Sequence, residues 1–123
     1  MSPTPLSVLK ADFFKSLAHP ARIRVLEILS AGDASVAQLL PQVGLEPSHL
    51  SQQLAVLRRV GLVTSAREGS SVVYSLAVPQ VAELLAVARS VLDSLLAENV
   101  ELLTDLRREP EPTAVPPGVE TES

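Results

Sequence analysis

No cysteine occurs among the 123 residues. Disulfides, thiolate metal sites and thiol redox switches are thereby excluded. Aromatics are nearly as scarce, with two Phe, one Tyr and no Trp. Hydrophobic residues still make up 46% of the chain. The core must therefore be built from Leu, Val, Ile and Ala, a composition that suits helices packed on helices. Apolar runs are short and broken by charge, so no membrane span is expected. The N-terminus lacks the charged and apolar regions of a secretory leader, and the chain reads as cytoplasmic. There is no Gly-rich phosphate loop, no nucleophile beside an evident base and no metal-ligand cluster. An enzyme is not expected, nor is a cofactor or a bound metal.

Basic charge is also short overall, at a net −4. The distribution is more informative than the total. Residues 1–78 carry Lys10, Lys15, Arg22, Arg24, Arg58, Arg59 and Arg67 against five acids, a net of +2. Residues 79–123 carry three arginines against nine acids, a net of −6. The first part is the mildly basic one. Such an excess supports phosphate contacts only where it is clustered.

Leu6, Leu9, Phe13 and Leu17 recur at helical spacing and predict a helix over 6–17. Pro20 suits the first position of a second helix, because its missing N–H would be unpaired there. Ile23, Leu26, Ile28 and Leu29 continue that helix. Gly32 is expected to end it, since glycine can adopt a left-handed conformation without steric cost. His19 is expected to pack or cap at its start. Ser35 is a good N-cap for a short third helix carrying Val36, Leu39, Leu40 and Val43. Pro41 should kink that helix or limit its length, and Gly44 should end it. After Leu45 and Glu46, Pro47 opens a fourth helix through roughly Val60. Leu50, Leu54 and Leu57 form its buried stripe.

Two β-rich runs follow, 62–66 and 72–76, joined by Arg67-Glu68-Gly69-Ser70-Ser71. This is a hairpin signal. A long helix then runs from Pro79 to about Arg108, with a broad face of Val81, Leu84, Leu85, Ala88, Leu92, Leu95, Leu96, Leu102, Leu103 and Leu106. From Pro110 the chain is rich in Pro and Glu, and residues 109–123 are expected to be a disordered tail. The expected fold is mainly α with a small β-hairpin, one domain over 1–108. A short helix, a tight turn and a second helix make a helix-turn-helix, and a hairpin directly after it is a wing.

Three segments resemble the ArsR/SmtB family of winged helix-turn-helix transcriptional regulators. They are 14–26 (FKSLAHPARIRVL), 48–63 (SHLSQQLAVLRRVGLV) and the wing, Arg67-Glu68-Gly69 with Val73-Tyr74-Ser75-Leu76. The match covers roughly 8–106 in the same order. The resemblance implies a homodimer built from the first and last helices. It also implies a pseudo-palindromic operator in double-stranded DNA, repression on binding, and release by an effector.

The residues supply a physical case of their own. With Leu50, Leu54 and Leu57 inward, Ser48, Gln52 and Arg59 point away, and Ser51 and His49 flank the seam. Small polar groups allow close approach to a major groove. Gln pairs with adenine edges and Ser addresses a base or a phosphate. His49 and Gln53 are further candidates for backbone oxygens or base edges. The helix N-terminus favours phosphate. Arg67, Ser70 and Ser71 are candidates on the wing. Arg22 and Arg24 remain open between phosphate contact and covering the second helix, while Arg58 is expected to be structural. A winged-helix domain used only as a protein-interaction module is the alternative reading.

Leu6, Leu9, Phe13, Leu84, Ala88, Leu92, Leu95 and Leu96 are the expected dimer contacts, because so wide a stripe exceeds what one small chain can cover. The usual effector ligands are missing. Some family members place cysteines in the third helix, where Ser35-Val36-Ala37-Gln38-Leu39 stands here. Others place His and carboxylates on the last helix, which here has Asp93, Glu98, Glu101 and Asp105 but no His. The chain therefore resembles a member lacking the usual metal-ligand cysteines, with an unidentified small-molecule or protein effector as a possible partner.

Overall fold

Apolar spacing makes the helices, and local caps set their ends. The computed structural model describes residues 3–108. Five helices run α1 Leu6–Leu17, α2 Pro20–Ala31, α3 Val36–Val43, α4 Pro47–Arg59 and α5 Gln80–Arg108. Three strands join them, β1 Ala34–Ser35, β2 Val63–Glu68 and β3 Ser71–Leu76. The expected element order is observed, with β1 added. The expected tail, 109–123, lies outside the described residues.

The caps explain the boundaries. His19 Nδ1 accepts the Ala21 N–H at 3.0 Å, which satisfies one open donor at the start of α2. Ser35 Oγ accepts the Gln38 N–H at 3.2 Å. In return, Gln38 Oε1 accepts the Ser35 N–H at 2.8 Å. This reciprocal box holds α3 at its first turn. Pro41 sits inside α3, which still runs two residues past it before Gly44 stops it. Gly44 takes φ 78° and ψ 27°, a left-handed cap that costs a side-chain-bearing residue sterically. Gly32 ends α2 as expected, and does so at φ 159° and ψ 162°, an extended rather than a left-handed conformation.

The sheet is antiparallel with order β1-β3-β2. The hairpin is longer and tighter than its composition suggests. Arg67 pairs with Val72 and Glu68 with Ser71, so both belong to β2 rather than to the turn. Only Gly69 and Ser70 remain as the loop. A two-residue hairpin loop needs positive φ at its first position, and Gly69 supplies φ 64°. On the other edge, Ala34 pairs with Tyr74 and Ser35 with Val73. Ser35 thus ends β1 and caps α3 at once, which ties the hairpin to the start of the helix-turn-helix.

The chain divides into two compact units, residues 1–84 and 85–123. The core belongs to the first. Leu17 and Ala21 enter it with Val25, Leu26 and Leu29 of α2 and Leu39 of α3. Leu50, Leu54 and Leu57 of α4 join Leu62, Val63 and Val81 there. No polar or charged residue is buried among the described residues. The second unit is described only as the α5 segment to Arg108. Leu85 there is half-buried and the other described side chains are exposed. Among the described residues, no helix is long and apolar enough to cross a membrane.

Candidate nucleic-acid interface

The α4 seam orients everything around it. Leu50, Leu54 and Leu57 are 0%, 1% and 0% exposed. A helix turns about 100° per residue, so the opposite side must face outward. Ser48, His49, Ser51, Gln52 and Arg59 are exposed accordingly. Ser48, His49, Ser51 and Gln52 stand on one polar flank in the first half of α4, and Arg59 is its last residue. Glu46 precedes Pro47 without a side-chain cap on the helix. Pro47 has no N–H and the Leu50 N–H donates to the Glu46 carbonyl at 3.0 Å, so the N–H groups of Ser48 and His49 are left to an outside acceptor such as phosphate or water.

Gln53 differs from its neighbours. It is half-buried, and its Oε1 accepts from Arg22 Nε at 2.8 Å. Expected as a contact to DNA, it is engaged inside the fold. Arg22 donates a second bond, from Nη1 to the Ser16 carbonyl at 3.0 Å. Of the two readings left open for Arg22, this geometry matches the structural one. Arg24 lies 3.8 Å from Glu27 in an exposed ion pair one turn along α2. Arg58, expected near the buried stripe, is exposed.

On the hairpin, Arg67, Ser70 and Ser71 are all exposed. Arg67 stands on β2 and Ser71 on β3, on either side of the loop that holds Ser70. The side chain of Glu68 is exposed beside Arg67.

The expected dimer contacts fall into two kinds. Leu6, Leu9, Leu92, Leu95 and Leu96 are more than half exposed, and Ala88 is exposed. Phe13 and Leu84 are half-buried. The Phe13 ring lies 5.5 Å from that of Phe14, tilted by 59°. Exposed Val8, Phe14, Val87, Val91 and Val100 were absent from the expected set. Val87 and Val91 follow Leu84 at helical spacing, so the periodicity contained the signal.

A short helix, a three-residue turn on Gly44, a helix with its polar flank outward and a following hairpin define a winged helix-turn-helix protein. Residues 19–65 match the model of the bacterial regulatory protein arsR family. The HTH-type transcriptional regulator Rv0081 of Mycobacterium tuberculosis is 58% identical over 108 residues, 87% of this chain and 95% of that protein. The crystal structure of Rv0081 superposes with a TM-score of 0.72, covering 80% of this chain and 99% of that one. The transcriptional repressor BigR from Xylella fastidiosa is 33% identical with a TM-score of 0.65, over 69% of this chain and 87% of that one. A homodimeric winged helix-turn-helix domain of Mb0332 from Mycobacterium bovis is 29% identical with a TM-score of 0.65, over 80% and 95% of the two chains. The chain belongs to the arsR family and is a DNA-binding transcriptional regulator.

Proposed function

We propose that this regulator acts in the cytoplasm as a homodimeric repressor of a pseudo-palindromic operator. The observation that carries the reading is the complete burial of Leu50, Leu54 and Leu57 with Ser48, His49, Ser51 and Gln52 outward on the same helix. That side enters the major groove, where Gln52 pairs with a base edge and Ser48 and Ser51 reach bases or phosphates. Arg59 adds a cation at the end of α4. Arg67, Ser70 and Ser71 bring the wing to the adjacent backbone or minor groove.

The dimer supplies the second half-site. The exposed apolar residues of α1 and the stripe Leu92, Leu95 and Leu96 of α5 are the paired surfaces. The homodimeric state of Mb0332 supports this assembly. A two-fold dimer sets two copies of α4 about one DNA turn apart.

The test uses a duplex selected by the protein from a randomised pool. Changing Ser48, His49 and Gln52 together to Ala leaves a folded dimer, seen by circular dichroism and sedimentation, that no longer prefers that duplex over a scrambled one. Retained preference would show that α4 does not read the site. A steep fall of affinity with salt is expected from phosphate contact; a flat response favours a protein-interaction module instead.

A further inference from the structure

Arg22 is where three helices are joined by one side chain. It lies in the first turn of α2, just after the sharp corner at His19 and Pro20. Its Nη1 donates to the Ser16 carbonyl in the last turn of α1 at 3.0 Å. Its Nε donates to Gln53 Oε1 in the middle of α4 at 2.8 Å. The Ser16 carbonyl is among the last four of α1, which have no partner within the helix. A guanidinium presents several donors in a fixed plane, so both bonds constrain one another. Each bond to a charged donor is also stronger than a neutral one.

The placement on α4 matters. Gln53 follows Gln52 directly and is rotated about 100° from it, toward the buried seam. The seam fixes how deeply α4 sits but does so through leucines, whose contacts are not directional. A bond from Arg22 to the flank of α4 adds the direction. It resists rotation of the helix about its own axis, the motion that would swing Ser48 and Gln52 out of register with base edges.

We propose that Arg22 is a positioning residue for DNA reading, holding α4 in rotational register against the end of α1 through Gln53. Neither residue touches DNA in this arrangement. The inference rests on the reading of α4 as the recognition helix. Because α1 carries one of the proposed dimer faces, the same side chain passes the placement of α1 on to the recognition helix.

The experiment compares the full-length wild type with R22K, Q53A, the R22K/Q53A double variant and S48A/H49A/Q52A. Each is titrated with the selected duplex and a scrambled one across a salt series, with thermal melting as the fold control. R22K keeps the charge but lacks the planar fork. R22K and Q53A are each expected to lower the preference for the selected duplex about tenfold. The double variant should lose no more than the worse single one, as expected for two residues of one bond. The slope of log affinity against log salt should stay unchanged.

Three results would overturn the proposal. One is a slope reduced by about one in R22K, which makes Arg22 a phosphate contact. Another is preference lost in Q53A but intact in R22K, which makes Gln53 a reader. The third is full preference in both variants, with only a lowered melting temperature, which makes the bonds structural alone. Q53A keeps the test decisive if R22K fails to fold. If S48A/H49A/Q52A loses preference while R22K and Q53A keep it, only the Arg22 role falls. If that triple variant also keeps preference, the recognition-helix reading falls with it.

Discussion

Leucines are dense both in the body of the molecule and along α5, yet they meet opposite fates. In the body, Leu54 is 1% exposed; on α5, Leu92 is 57% exposed. The body surrounds its apolar side chains with α2, α3, α4 and the hairpin. The α5 segment beyond Leu84 is a helix whose described side chains beyond Leu85 are all exposed. The same hydrophobic free energy therefore does two jobs. In the body it folds one chain, and on α5 it is available to join two.

Substitutions separate these jobs. Replacing Leu92 and Leu95 together by Glu should give a monomer by sedimentation, with operator affinity reduced on the order of 10²–10⁴-fold as the linked second half-site is lost. Survival of the dimer would assign association to another surface. Leu54→Ala should act on the body instead, lowering its unfolding free energy by about 2–5 kcal/mol in urea titrations. An effect below about 1 kcal/mol would mean that the seam repacks easily. Ser35→Ala removes one half of the α3 capping box and should cost about 1 kcal/mol by the same measurement, without changing the dimer. The smallest expected effect is none: zinc, nickel or arsenite at low micromolar concentration should leave the operator complex intact in a gel shift. That expectation rests on the missing thiols of α3 and the missing histidines of α5, and metal-dependent release would refute it.

Much of the candidate interface's framework was legible because its determinants are local. The seam Leu50-Leu54-Leu57 repeats at the helical period, so the outward side follows by rotation. Ser35, Gly44 and Pro47 mark ends by chemistry within a turn of themselves. The hairpin was legible as an element but not in extent. Arg67 and Glu68 read as turn residues by composition, and their pairing with Val72 and Ser71 extends the ladder to the two-residue loop. Gly32 was legible as the stop of α2 but not in its conformation: a glycine permits many, and the one taken here is extended.

Gln53 marks the boundary of what local pattern reveals. By spacing alone it sits beside Gln52 and looks equally available. Its partner Arg22 lies 31 residues away, and the bond exists only because α2 and α4 pack at one particular offset. The two-residue β1 has no periodicity to detect and exists only through its pairing with β3.

Sequence by itself determined the helices, their caps, the inward seam of α4 and the lack of thiol chemistry. Each of these depends on residues within a few positions of one another. Tertiary structure decided that Gln53 turns inward to Arg22, that β1 binds the hairpin to α3, and which leucines remain uncovered. Those outcomes depend on contacts between distant segments, whose geometry is set only once the whole body packs.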